Sequence, residues 1–155
     1  MDHVAIDDLD DWMGPADVKR PIGQALGTDH MGLRYYELAP GESTAFGYHA
    51  HESQEEVFYV LDGALAFETE EGEVTVGAGE AVHFASGEFQ RSLNPGEDRT
   101  RLLAIGAPAD PGELTLLRHC RDCGERTDQT IEAVDDGDAL VTLCANCSGE
   151  TGRFE

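Results

Sequence analysis

Lysine is almost missing from this sequence. Lys19 is the single one in 155 residues, and it brings the cations to only ten against 32 Asp and Glu, a formal net charge of -22. A surface with that balance repels nucleic acid and anionic membranes, which argues against both as partners. No apolar run approaches the roughly 18 residues of a membrane span. The opening MDHVAIDDLDDWMG also lacks the basic and apolar regions of a secretory signal. A cytoplasmic location is the expectation. Cysteine is absent from the first 119 residues and then occurs four times; in a reducing compartment those four read as thiolates, not disulfides. Long helical patterns are scarce too. What is plentiful is glycine, 18 residues of it, with Asp-Gly and Pro-Gly pairs punctuating short apolar runs.

In ordinary buffer so much like charge destabilises a compact chain, whereas at molar salt the screening length falls to about 3 Å and the penalty largely disappears. The balance resembles that of proteins from salt-loving organisms, halophilic archaea above all.

Residues 1–28 read as a lead-in segment. Ile6, Leu9 and Trp12 or Met13 fall at helical spacing after an Asp7 cap, which describes either a short helix pinned to the body or a mobile acidic tail. From Gly32 the texture changes to β-rich runs separated by turns: GLRYYELA, the run holding His49 and His51, EVFYVL, ALAFETE, EVTV, AVHFA, FQRSL and RTRLLAIG. The expected fold is mainly β, an antiparallel sandwich or jelly-roll barrel over residues 29–108. APADPGE follows, so residues 109–118 form a linker or an extra strand. In residues 119–155, TIEAV and ALVTL flank DDGD as a hairpin would. So short a segment cannot bury enough apolar area to fold unaided, and a staple is expected there.

His49 and His51 lie one residue apart, so on a strand both point to one face, about 7 Å apart. Glu56 opens the next strand and can return beside them. Two imidazoles and a carboxylate suit a divalent transition metal, iron, manganese, nickel or zinc, with positions left open for a small-molecule ligand. His49-x-His51, four residues, Glu56, six residues and Gly63 resemble the first motif of the cupin superfamily, as do Pro40-Gly41 and VFYVLDG. Ser43 stands where the family has a glycine. The second motif is kept in spacing by Gly79, Ala85, Gly87, Gln90 and Asn94, but a proline has become Ala85 and the third metal histidine has become Gln90. The resemblance implies a jelly-roll barrel with a site of His49, His51, Glu56 and Gln90, of reduced affinity because an amide oxygen is a weaker donor than imidazole. It also implies pairing into a homodimer through edge strands. His83, in AVHFA, is a competing third imidazole. Arg34, Arg91, Arg99 and Arg101 either face an anionic ligand or balance the acidic surface, the commoner role.

Cys120-x-x-Cys123, twenty residues and Cys144-x-x-Cys147 have the spacing of a closed four-cysteine zinc site. Gly124 and Gly149 trail the pairs, giving permissive backbone to the turns. This resembles a rubredoxin-like zinc ribbon, whose ion is structural. Redox use of the pairs would need a βαβ setting that is absent. Two functions remain open: a mononuclear-metal enzyme of dioxygenase, isomerase or lyase type, and a non-catalytic ligand-binding or regulatory module that contacts a protein partner through the ribbon.

Overall fold

The computed structural model describes residues 1–155. Turns cut the chain into thirteen strands: β1 (Val18–Arg20), β2 (Gly32–Leu38), β3 (Tyr48–His51), β4 (Glu55–Asp62), β5 (Ala64–Thr69), β6 (Gly72–Gly77), β7 (Ala81–Phe84), β8 (Gln90–Leu93), β9 (Thr100–Ala107), β10 (Leu114–Cys120), β11 (Glu125–Val134), β12 (Ala139–Cys144) and β13 (Glu150–Phe154), with one short helix, α1 (Ile22–Ala25). No helix is long and apolar enough to cross a membrane. Gly63 shows why one turn needs its residue. It holds φ at +80°, and a Cβ there would sit 2.5 Å from Thr100 Oγ1, the hydroxyl that donates to the Ala64 carbonyl at 3.0 Å. Gly63→Ala is therefore expected to cost about 2 kcal/mol, from the left-handed backbone and the collision together, read as a lower denaturant midpoint at unchanged slope.

The strands form two antiparallel sheets, ordered β1-β2-β9-β4-β7 and β13-β12-β11-β10-β3-β8-β5-β6. Alternation places Tyr36, Leu38, Phe58, Val60, Leu65, Phe67, Leu102 and Ala104 between the sheets, where they form the core with Val76 and Phe84. Phe58, Phe67 and Phe84 meet with ring centroids 5.1 to 6.1 Å apart, in the tilted and edge-on arrangements that aromatic quadrupoles favour. This is the expected mainly β jelly roll.

One segment differs from the reading of the sequence, and another settles between its two readings. In the lead-in segment the apolar spacing of Ile6, Leu9 and Trp12 forms only a single 3-10 turn, Ile6–Asp8, and Trp12 stays 41% exposed. Four aspartates flank the apolar spacing and leave it no continuous face to bury. The segment is instead an extended strap, tied by Arg20 to Asp7, Asp11 and the Ile6 carbonyl, and its end, β1, adds an edge strand to β2 with Lys19 opposite Tyr36. After a short loop, the stretch with two readings becomes β10. Leu114, Leu116 and Leu117 pair there with His51, His49 and Tyr48 of β3, so one sheet runs from the barrel into the cysteine-bearing hairpin. Arg118 reinforces this junction, donating to the carbonyls of Phe46 and Thr151, while Phe46 packs edge-on against Phe154 at 5.0 Å.

Candidate functional site

β3 supplies His49 and His51 to the interior because they are two residues apart. β8 pairs Gln90 with His49, and β4 brings Glu56 across from the other sheet. His49 Nδ1 lies 3.0 Å from the Gly47 carbonyl, which takes its proton and leaves the Nε2 lone pair facing inward. Glu56 Oε2 is 3.8 Å from His49 Nε2 and 3.5 Å from His51 Nε2, and one ligand atom from each residue falls within 4.8 Å of the others. Burial pushes the Glu56 carboxyl up, but His49 and His51 beside it outweigh that and hold it down at about 2. It is a carboxylate at any ordinary pH. Three ligand atoms about 2.1 Å from one ion at right angles would stand about 3 Å apart, so a small inward adjustment closes the set. His51 Nδ1 and Gln90 Oε1 are buried without hydrogen-bond partners.

Gln90 turns its amide nitrogen, not its oxygen, toward the site. That nitrogen is 3.0 Å from Glu56 Oε2 and 3.2 Å from His49 Nε2, to which it donates. Ligation through oxygen would take a half-turn of the amide. His83 lies elsewhere: Phe84 is buried and Val82 packs on the core, so His83 faces outward and exposed, 2.8 Å from Glu55.

The triad opens onto a cavity of about 170 Å³ whose wall includes Tyr36, Phe58, Lys19 and Arg34, and also Leu116 and Ile131 from β10 and β11. Arg99 and Arg101 pair with Asp17, Glu37 and Asp62 on the outside, which is the charge-balancing role. Arg34 does not share it. Lys19 and Ile131 carried no functional reading in the sequence; the only available signal was that Lys19 has no sibling.

At the other end of β10, Cys120 and Cys123 face Cys144 and Cys147. Cys120 and Cys147 sulfurs are 3.5 Å apart, Cys123 and Cys144 sulfurs 3.8 Å, and all four lie within 4.8 Å. They are free thiols. Sulfurs at tetrahedral corners about 2.3 Å from one ion would be about 3.8 Å apart, so the four lie close enough to hold a metal ion. The Thr127 hydroxyl, 3.1 Å from Cys144 Sγ, outweighs burial and, with the amides of Cys147 and Asn146, lowers that thiol to about 6. Cys123, hydrogen-bonded to the other three sulfurs, is raised. Four sulfurs this close ionise together only around a cation. Gly124 takes positive φ, as the first turn requires, but in the second turn the left-handed residue is Ser148 at +62°, not Gly149. Gly149 is needed for space: a Cβ there would lie 2.8 Å from Asp122 Oδ2.

The family described as Cupin domain matches residues 34–106. No curated protein matches the chain. Among solved structures, the chain is similar to a sugar phosphate isomerase from a cupin superfamily of Silicibacter pomeroyi, at 20% identity over 99% of this chain and 91% of that one, with a TM-score of 0.62. It is similar to the polyketide cyclase RemF of Streptomyces resistomycificus, at 24% identity over 79% and 89% with a TM-score of 0.65. A predicted oxalate decarboxylase of Thermotoga maritima matches at 22% over 68% and 98%, with a TM-score of 0.59. At these identities the likeness is one of fold, the cupin jelly roll.

Proposed function

We propose that this cupin barrel holds one divalent transition metal on His49, His51 and Glu56 and acts as an enzyme on a small molecule bound at the ion's open positions. The observation that carries the reading is the convergence of two imidazole nitrogens and an ionised carboxylate on the wall of one cavity. A bound ion would supply Lewis-acid polarisation of a ligand oxygen, the chemistry that isomerase and lyase types use. The chain's own groups do the rest. The Gly47 carbonyl orients His49, Gln90 steadies Glu56 through its amide nitrogen, and Phe58 and Leu116 give the cavity an apolar wall. Tyr36, whose phenol burial raises to about 12, keeps its proton at neutral pH and can donate to a ligand oxygen. The four cysteines hold a zinc ion that is structural, because four thiolates close its shell. Fold-mates with different activities leave the substrate to be read from the cavity itself.

Gln90 favours a second reading. With its nitrogen toward the donors it offers the ion nothing in its present orientation, as suits a non-catalytic ligand-binding module whose ribbon contacts a protein partner. Elemental analysis of the untagged protein, purified at high salt, separates the two. The expected result is two ions per chain, one zinc plus a second, with His49→Ala losing the second and keeping the zinc. A wild-type chain with one zinc and nothing else would sink the enzyme reading in favour of the module.

A further inference from the structure

We propose that Lys19 and Arg34 form an oxyanion-binding subsite in the barrel cavity, so that the ligand carries a carboxylate or phosphate group away from its metal-chelating end. This rests on the metal reading above. Both cations line the same cavity as His49, His51 and Glu56, and strand register explains how. Arg34, on the inner face of β2, pairs across β9 with Ala104, which pairs in turn with Phe58 of β4. Glu56 lies one inward-facing position along β4 from Phe58. Lys19, on β1, stands opposite Tyr36, the next inward residue of β2. The metal donors and the two cations therefore occupy neighbouring rows of one concave surface.

Their lack of partners inside the cavity is the informative part. Acids outnumber cations by more than three to one here, and Arg20, Arg99, Arg101, Arg126 and Arg153 pair with carboxylates. Of the cations that do not, Arg118 is held by two backbone carbonyls, Arg91 and Arg121 lie outside this cavity, and Lys19 and Arg34 line it. Lys19 and Arg34 have no carboxylate within salt-bridge distance; Lys19 has only the Trp12 ring, 5.6 Å from its ammonium. Glu56, the carboxylate in the cavity, is taken by the histidines and Gln90. Two partly buried like charges side by side without a counterion are unfavourable. Burial and the nearby Arg34 charge accordingly lower the Lys19 ammonium to about 8. An oxyanion between them removes that conflict, with the planar guanidinium giving paired hydrogen bonds and the ammonium a point charge. An engineered cavity of about 150 Å³ holds a benzene-sized molecule, so about 170 Å³ has room for a small metabolite.

Because Lys19 is the single lysine, acetylation of the peptide that carries it reports on it directly. The metal-loaded protein at fixed ionic strength is titrated with inorganic phosphate and, separately, malonate, by calorimetry. Lys19 acetylation is followed in parallel by peptide mass. At least one anion should bind and slow Lys19 acetylation fivefold or more, and which of the two does so names the oxyanion. Lys19→Met and Arg34→Met should each weaken binding at least tenfold while barrel metal per chain stays unchanged, and Arg34→Met should abolish the protection of Lys19. Wild-type anion affinity in both variants, or no binding of either anion to wild type, overturns the subsite. Failure of the metal reading shows separately, as a wild-type chain with no barrel ion or a His49→Ala chain that retains one.

Discussion

Cys144→Ser is expected to remove the proposed zinc and unfold β11 to β13 while the barrel keeps its own proposed ion. Beyond β10 the chain buries little: Thr127, Ala139, Val141, Thr142 and Cys144 are covered, but most of β11 faces solvent. Hairpins of that kind are marginal unless stapled. A closed four-thiolate zinc site contributes on the order of 10 kcal/mol to small zinc-dependent folds, so losing one ligand removes most of what holds this hairpin. Cys144 is the most consequential of the four, since it ends β12, is 1% exposed and receives the Thr127 hydroxyl. The measurements are zinc per chain, loss of β signal in far-ultraviolet dichroism, and proteolysis confined to residues beyond 120. A zinc-free variant with an unchanged spectrum and no new cleavage would show that packing against Phe46 and Arg118 suffices without the ion.

The second large effect runs the other way. Gln90→His should raise barrel metal affinity about a hundredfold, which corresponds to about 2.7 kcal/mol. Gln90 is 1% exposed, its strand neighbour is His49, and its amide nitrogen already stands within hydrogen-bonding distance of two of the proposed donors. An imidazole there replaces a group that points N–H at the site with one that offers a lone pair, and imidazole is the better donor to borderline ions. Competition with a chromophoric chelator measures the change. Unaltered affinity with an intact fold would mean that position 90 does not reach the ion and that three groups make up the site.

How much of this could be seen beforehand depended on whether the information was local. Strands β2 to β9 announced themselves through alternation and glycine turns, and the spacing of His49, His51 and Glu56 carried over directly because strand periodicity alone sets which way they face. β1 did not: three residues, VKR, have no period to detect, and it is a strand only because β2 offers an edge. β10 showed as one of two readings, since its partner β3 lies more than sixty residues earlier and nothing local specifies such pairing. Arg34 looked like its siblings Arg99 and Arg101 because a side chain's face is settled by register, and register is settled by the whole sheet. The same holds for Ser148. Gly149, the next residue, suggested the turn, but the residue that takes positive φ is Ser148.

β3 has four registered pairs with β10 and only one, His49 with Gln90, on its other side. β10 is thus the cover of an otherwise bare edge. Ending the chain near residue 108, where composition invites a cut, would leave the backbone of the histidine strand with unanswered N–H and C=O groups, the template on which stray strands assemble. It would also take Leu114 and Leu116 out of the cavity wall. What looks like an appendage is the barrel's protection against its own neighbours.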